Sequence, residues 1–175
     1  MLDSLEPRRL LSVTASFNSG TLTVTSDAAA DHVLIGTNAH GQIFVHTNHH
    51  VILAVSAHHV ARINVDLGGG NDALDTDPTV RAPMTIRGGA GNDTLVAGSG
   101  HDMVFGDDGD DFINSADGTV DVVDGGAGHD SALVDHVDHV SGVEHVHHPH
   151  HHHYHHHDYA LAFGDKMDEI RVPVG

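Results

Sequence analysis

Aspartate and glycine recur at fixed positions through residues 88–114, which read GGAGNDTLV, AGSGHDMVF and GDDGDDFIN. This stretch divides into three nine-residue repeats with no residue between them. Three positions are alike in every repeat: glycine at the fourth (Gly91, Gly100, Gly109), aspartate at the sixth (Asp93, Asp102, Asp111) and an aliphatic residue at the eighth (Leu95, Val104, Ile113). A carboxylate is a hard oxygen ligand, which suits Ca²⁺ with its six to eight oxygens. The spacing therefore predicts calcium sites with aspartate ligands.

The glycines indicate how the chain would position these carboxylates. Glycine lets the backbone take positive φ in a tight turn and leaves room for an ion, while turn carbonyls supply further oxygens. The residues after each aspartate form a short strand whose aliphatic side chain points inward. Two repeats make one coil, so we expect Asp93 to lie one coil below Asp111, with Asp102 at the opposite edge.

Degraded copies of the repeat extend the pattern in both directions. Residues 67–75 place Asp72 one coil before Asp93, in a coil with about three extra residues near 78–83. Residues 115–124 keep Asp121 after one insertion, with weaker glycines, and residues 125–133 restore the turn with Asp130. We expect stacked pairs 72/93, 93/111 and 111/130 on one edge and 102/121 on the other. Residues 29–33 keep Asp31, but alanines replace the glycines, so no ion is expected there.

The pattern resembles the haemolysin-type calcium-binding, or repeats-in-toxin, family, because residues 88–96 match G-G-x-G-x-D-x-U-x without exception. The resemblance covers residues 67–133 strongly and 11–66 weakly. It implies an all-β fold, a right-handed parallel β-roll or β-solenoid, with Ca²⁺ between the turns of neighbouring coils. The implied backbone ligands are Gly69, Gly88, Ala90, Gly106, Asp108, Gly125 and Ala127. The alternative is a glycine- and aspartate-rich array of turns that binds no ion.

Alternating apolar residues predict strands throughout residues 11–67, with hairpin turns at Asn18–Gly20 and Asn38–Gly41. We expect this part to cap the first coil, since a solenoid end must be covered. The expected organisation is a targeting-like N-terminal motif at 1–12, a β-strand cap at 13–66 and the nonapeptide β-roll at 67–146. A His-rich low-complexity segment and tail follow at 147–175.

Composition limits the classes of partner. The 175 residues carry a formal charge of −18, which suits a cation and argues against nucleic acid. No cysteine is present, which excludes disulfides and thiolate metal sites. No run of 18 apolar residues occurs, so we expect no transmembrane segment.

Histidine is unusually frequent, with 21 residues. Protonating all of them would change the formal charge from −18 to +3, mostly between about pH 7 and pH 5. Nine lie in a tract interrupted by Pro149 and Tyr154: His147, His148, His150, His151, His152, His153, His155, His156 and His157. Clustered imidazoles bind Zn²⁺, Ni²⁺ or Cu²⁺, although no ligand geometry is evident. Specific metal binding, adventitious metal binding and a solvated spacer all stay open.

The first twelve residues, MLDSLEPRRLLS, lack the apolar core of a secretory signal. They resemble the L-E-P-R-x-L-L motif at the start of many planctomycete surface and secreted proteins, through Leu5, Glu6, Pro7, Arg8, Leu10 and Leu11. The resemblance implies a secreted, extracellular or cell-surface location and a partner there. The sequence does not determine the oligomeric state.

Catalysis is not expected. The chain contains no H-E-x-x-H, G-x-S-x-G or Walker motif, and the roll and its cap use almost all of residues 11–146. The sequence therefore predicts a secreted calcium-binding protein that folds on calcium, with a structural or interaction role. The alternative is a transition-metal or pH-responsive protein that acts through the histidine tract.

Overall fold

Strands make up most of the computed structural model, which describes residues 13–47 and 50–149. In those residues the chain forms fifteen strands and one turn of 3₁₀-helix, Ala57–His59. The strands are β1 (Thr14–Asn18), β2 (Thr21–Thr25), β3 (His32–Thr37), β4 (Gln42–Thr47), β5 (His50–Ser56), β6 (Arg62–Asp66), β7 (Ala73–Thr76), β8 (Met84–Ala90), β9 (Thr94–Val96), β10 (Met103–Asp108), β11 (Phe112–Asn114), β12 (Val122–Ala127), β13 (Ser131–Leu133), β14 (His139–Ser141) and β15 (His145–His147). The all-β prediction is confirmed. The described part of the chain contains no helix with the length and hydrophobicity of a membrane span.

The strands lie in two open sheets, and from β5 onwards the chain alternates between them. The first sheet has the order β1-β2-β6-β8-β10-β12-β14, and the second has the order β15-β13-β11-β9-β7-β3-β4-β5. From β6 onwards each strand pairs in parallel with the equivalent strand of the next coil. A pair such as β8 and β9 forms one coil, and the stacked coils form the predicted parallel β-roll.

Two antiparallel elements cover the N-terminal end of the stack. Ser19 and Gly20 both have positive φ and form the two-residue turn that joins β1 to β2. Strands β3, β4 and β5 form an antiparallel meander in the second sheet, whose first turn is closed by a bond from the Gly41 N–H to the Asn38 carbonyl. Strands β2 and β3 themselves pair in parallel with β6 and β7, so the meander continues the roll.

The core is a file of aliphatic side chains between the sheets. Alternate residues of each strand point inward, as in Thr94–Val96, where only the central Leu95 is buried. The aliphatic eighth positions of the three central repeats are fully buried, as predicted, and Ala132 takes the same place one coil later. Because each coil contributes few apolar side chains, every one of them matters for stability.

The coil from Asp72 to Asp93 is longer than the two coils that follow it. Strand β7 ends at Thr76 and β8 begins at Met84, so the extra residues form the loop between them. A bond from the Val80 N–H to the Asp77 carbonyl closes a turn in this loop, and Val80 is buried. The predicted insertion near residues 78–83 is confirmed.

We predict that Ile113→Ala lowers the free energy of unfolding by about 2–5 kcal/mol, because it leaves a cavity in a fully buried position. Phe112→Ala is the matched control, since Phe112 is 40% exposed on the outer face of the same strand. It should change stability by less than about 1 kcal/mol. Urea unfolding at saturating Ca²⁺ measures both, and equal losses would contradict the assigned inward register.

Candidate calcium-binding turns

The turns that lead from the first sheet to the second form one edge of the roll, here called the first edge. Along it, the backbone N–H of each acidic residue donates to a carboxylate oxygen of the next coil. The donor–acceptor pairs are Asp31 to Asp72 (2.7 Å), Asp72 to Asp93 (2.8 Å), Asp93 to Asp111 (2.7 Å), Asp111 to Asp130 (2.8 Å) and Asp130 to Glu144 (2.8 Å). The predicted stacking on this edge is confirmed. Each stacked acidic residue, together with its turn, is called a rung.

The turns that lead back from the second sheet to the first form the second edge. Met84 donates its N–H to Oδ1 of Asp102 at 2.8 Å, and Asp102 donates to Oδ1 of Asp121 at 2.8 Å. Asp121 in turn donates to Oδ1 of Asp138 at 3.0 Å. Asp102 and Asp121 therefore face each other at the edge opposite Asp93, as the nine-residue spacing predicts.

Sequence reasoning missed the last acidic residue of each edge, Asp138 and Glu144. Asp138 has none of the repeat glycines before it and Glu144 has only Gly142, so neither looks like a complete nonapeptide. A simpler signal finds them: an acidic residue stands two positions before an inward aliphatic one, as in Asp138–Val140 and Glu144–Val146. The acidic residue and the aliphatic residue define a rung, whereas the glycines define the shape of its turn.

Each of the six aspartates predicted to bind calcium has one carboxylate oxygen without a hydrogen-bond partner. Oδ2 of Asp72, Asp93, Asp102, Asp111, Asp121 and Asp130 is buried and has no hydrogen-bond partner. The side chains themselves are at most 3% exposed. Burying an ionised oxygen without a partner is costly, so a cation or a proton is required there. The six oxygens lie in two rows, one along each edge, so the requirement arises from the repeat array and not from an isolated defect.

Glycine keeps open the space beside three of these oxygens. A β-carbon added at Gly88 would overlap Oδ2 of Asp93 and lie 2.8 Å from the carbonyl oxygen of Gly106. A β-carbon at Gly106 would likewise overlap Oδ2 of Asp111 and the Gly125 carbonyl oxygen. At Gly125, the β-carbon would lie 2.6 Å from Oδ2 of Asp130. Each glycine therefore faces a space lined by a carboxylate oxygen and, from the next coil, a carbonyl oxygen, the ligand types that Ca²⁺ prefers.

The other predicted backbone ligands hold the turns together. The carbonyls of Ala90, Asp108 and Ala127 accept N–H bonds of 2.8 Å from glycines of the preceding coil, Gly70, Gly91 and Gly109. Gly69 donates its N–H to the Asp27 carbonyl and bridges to Ala90. A carbonyl oxygen has a second lone pair, so these bonds are compatible with a role as ligands. Calcium ligation by any of these groups stays a prediction.

Burial dominates the electrostatics of the stacked carboxyls. It raises the pKa of Asp93 and of Asp102 to about 6 and that of Asp121 to about 7, and backbone N–H bonds only partly offset it. Neighbouring carboxylates raise these pKa values further; at Asp121 the neighbours are Asp117, Asp102 and Asp138. Burial also raises the pKa of Asp72 and of Asp111. Without a cation, the array is therefore destabilised by its own charge at neutral pH.

The histidine tract begins where the described residues end. His147 closes β15, and the His148 ring lies 4.2 Å from that of His136, with Nδ1 3.0 Å from the Val134 carbonyl oxygen. The histidines at 150–153 and 155–157 lie outside the described residues, as do the N-terminal motif and the tail. Within residues 13–47 and 50–149 no group of three or more His, Asp or Glu side chains is arranged to hold a metal. A calcium site in the described residues would therefore need backbone oxygens in addition to the aspartates, as Ca²⁺ sites can have.

The family comparison matches the same turns. Residues 85–113 and 115–132 match the family model of the RTX calcium-binding nonapeptide repeat, in four copies. The chain carries RTX calcium-binding repeats. The match includes five of the six predicted aspartates and leaves Asp72 outside. The RTX repeat is a calcium-binding structural element rather than a catalytic one. Neither the curated proteins nor the solved structures give a significant match to this chain.

The raised pKa values predict how the calcium-free protein responds to pH. Because they lie above the ordinary aspartate value of 3.8, the folded state binds more protons than the unfolded chain between about pH 4 and pH 7. The free energy of unfolding should therefore fall as pH rises through this window. Asp121→Asn keeps the oxygen that accepts the Asp102 N–H and removes the charge. It should reduce the fall by up to about 2.5 kcal/mol between about pH 5 and pH 7.5. The measurement is the folded fraction in chelated buffer at each pH by far-UV circular dichroism, with urea unfolding wherever the calcium-free protein is folded.

Asp75→Asn provides the control for this measurement, because Asp75 is exposed on the outer face of β7. It should leave the pH dependence unchanged. A wild-type protein that becomes more stable from pH 5 to pH 7.5, or an Asp121→Asn variant with an unaltered slope, would show that the stacked carboxyls are not desolvated in the way described.

Proposed function

We propose that this protein is a calcium-stabilised β-roll that acts outside the cell as a structural or interaction module. The observation that carries the proposal is the array of buried Oδ2 atoms without partners, three of which face spaces kept open by glycine. The RTX match supports the same ion. Ca²⁺ fits because it accepts carboxylate and carbonyl oxygens together in a flexible geometry.

The residues that would hold the ion are the stacked aspartates and the carbonyls of the facing turns. Bound Ca²⁺ would supply positive charge between coils, beside the negative charge of the buried stacked aspartates. The protein contributes the spacing: each Oδ1 is fixed by an N–H of the preceding coil, which orients Oδ2 toward the turn. Because the unfolded chain lacks this arrangement, binding free energy would become folding free energy.

The cellular setting follows from the affinity that such a site would have. Extracellular calcium modules bind with a dissociation constant of about 10⁻⁴–10⁻³ M. The chain would therefore stay loose at the low calcium of a cell interior and fold after export. The N-terminal resemblance to secreted and surface proteins supports export, as does the extracellular occurrence typical of RTX repeats. A role in catalysis is not proposed, because the chain contains none of the catalytic motifs sought.

A calcium titration followed by far-UV circular dichroism, from a chelated start, tests the proposal. We expect β structure to appear between submillimolar and millimolar Ca²⁺. At about one hundred times the dissociation constant, each independent site should add roughly 2.7 kcal/mol to the free energy of unfolding. The double variant Asp93→Asn, Asp111→Asn should lose most of this gain, because both rungs keep their N–H bonds but lose their charge.

The control variant is again Asp75→Asn, which removes one acidic charge without altering a turn and should titrate like the wild type. Mg²⁺ serves as the control ion, because it requires a smaller, octahedral site. A β spectrum and a stability that are identical in chelator and in millimolar Ca²⁺ would contradict the proposal and favour turns that are only structural.

The histidine tract can be separated from this function. Deleting residues 150–157 removes seven histidines that follow the last described strand, and it leaves every acidic residue of both edges in place. We predict unchanged Ca²⁺-dependent folding and weaker Zn²⁺ binding, each followed by isothermal titration calorimetry. Loss of calcium-dependent folding on deletion would instead mean that the tract and the roll act together.

A further inference from the structure

The two edges of the roll have different turns, although the same nonapeptide forms both. We propose that Ca²⁺ occupies the first edge only, as a single file at the rungs of Asp93, Asp111 and Asp130, and that the second edge takes no ion. This inference rests on the proposed calcium function and specifies where in the repeat array that function resides.

Backbone conformation is the first difference between the edges. The first-edge turns share a pattern of positive φ at the second and fourth repeat positions. The pairs are Gly68 and Gly70 (79° and 110°), Gly89 and Gly91 (104° and 127°), Asp107 and Gly109 (73° and 139°), and Gly126 and Gly128 (103° and 147°). Even a non-glycine residue, Asp107, is held in this region, which is unfavourable for it. The pattern is therefore imposed by the turn.

The second edge does not repeat this pattern. In residues 97–102 neither Gly98 nor Gly100 has positive φ, and in residues 115–121 only Gly118 does. These turns therefore aim their carbonyls differently from the turns of the first edge. Residues 97–102 fit the nonapeptide pattern in sequence, but their backbone conformation on the second edge is different. The carbonyl oxygens that they offer to an ion are therefore not those of the first edge.

The first repeat position is the second difference. On the first edge it is Gly88, Gly106 or Gly125, and any β-carbon there would enter the space beside the following aspartate. On the second edge the corresponding residues are Ala97 and Ser115, whose N–H groups bond to the neighbouring coil at Asn114 and Leu133. Both are buried and both carry a β-carbon, so neither offers the bare backbone that Gly88, Gly106 and Gly125 present on the first edge.

The proposed row of ions ends before Asp72 because the first repeat position is no longer glycine there. Leu67, fully buried, stands in the first position before Asp72, and Ser26 stands there before Asp31. The Ser26 hydroxyl donates to Oδ2 of Asp31, the oxygen that has no partner on the other rungs. A neutral hydroxyl thus satisfies the second carboxylate oxygen of Asp31 without an ion. Rungs with glycine at this position have no such donor and require a cation.

The number of bound ions and its change on mutation test this assignment, using the full chain and Ca²⁺ itself. Native mass spectrometry and calorimetry should give about three ions for the wild type. Asp93→Asn, Asp111→Asn and Asp130→Asn should each lose one ion or weaken binding at least tenfold. Asp102→Asn and Asp121→Asn should retain all ions, with affinities within about twofold of the wild type. All five substitutions keep the Oδ1 that accepts the neighbouring N–H.

Gly106→Ala gives a second variant that removes no carboxylate: its added β-carbon would overlap Oδ2 of Asp111 and the Gly125 carbonyl oxygen, so these two oxygens must move apart. It should lose an ion, whereas Gly118→Ala, whose added β-carbon meets nothing within 4 Å, should not, despite its positive φ. Loss of an ion from Asp102→Asn or Asp121→Asn, or five or more ions in the wild type, would overturn the single-edge assignment and leave calcium binding intact. A wild type that binds no Ca²⁺ would overturn the proposed function itself.

Discussion

A hydrogen bond from a main-chain N–H to the carboxylate of the next coil recurs along both edges of the roll. It links the turns of successive coils, because each aspartate is bonded at 2.7–2.8 Å to the rung beside it on the first edge. It also fixes which oxygen is used. Oδ1 accepts the bond, so Oδ2 is left buried and without a partner at six positions. Neighbouring strands lie about 4.8 Å apart, which places like charges close together in a file.

The apolar core cannot easily offset that charge in the later coils. The N-terminal coils bury large side chains such as Leu22, Ile35 and Ile63, and the antiparallel meander adds Ile43 and Val45. Further along, Ile86, Leu95 and Ile113 are still fully buried, but the only apolar side chains that the next coil buries are Val123, Ala132 and Val134. In a solenoid each coil is stabilised mainly by its neighbours. The coil with the smallest buried side chains is thus the one beside the space at Gly125, where a bound cation would contribute most.

Interactions outside the core show how the chain holds a strained turn. Asp107 takes a left-handed conformation, and its carboxylate pairs with Arg87 of the preceding coil at 3.1 Å. The Arg87 guanidinium lies 4.4 Å from the centre of the Phe105 ring. These exposed contacts are individually modest. They nonetheless link two successive first-edge turns on the outside, while the carboxylate file links them on the inside.

The sequence by itself determined the coil. The nine-residue period of Asp93, Asp102 and Asp111 specified which residues stack, which edge each occupies and which aliphatic side chains face inward. It did so because a strand alternates its faces and a turn needs glycine, and both are local properties of the chain. The same reasoning placed both N-terminal hairpins and the insertion before Met84.

Tertiary structure alone decided how each carboxylate is satisfied. Ser26 lies in a degenerate repeat, and only its position across the turn from Asp31 reveals that its hydroxyl takes the free oxygen. Asp138 lacks the surrounding glycines and Glu144 keeps only Gly142, yet the coil register brings them next to Asp121 and Asp130. The replacement of the first glycine by Ala97 and Ser115 is visible in the sequence, but the different backbone of the second edge is not, because it depends on what opposing coils impose on each turn. Spacing along the chain fixes the neighbours of a carboxylate, whereas the contacts across coils decide what each buried oxygen can bind.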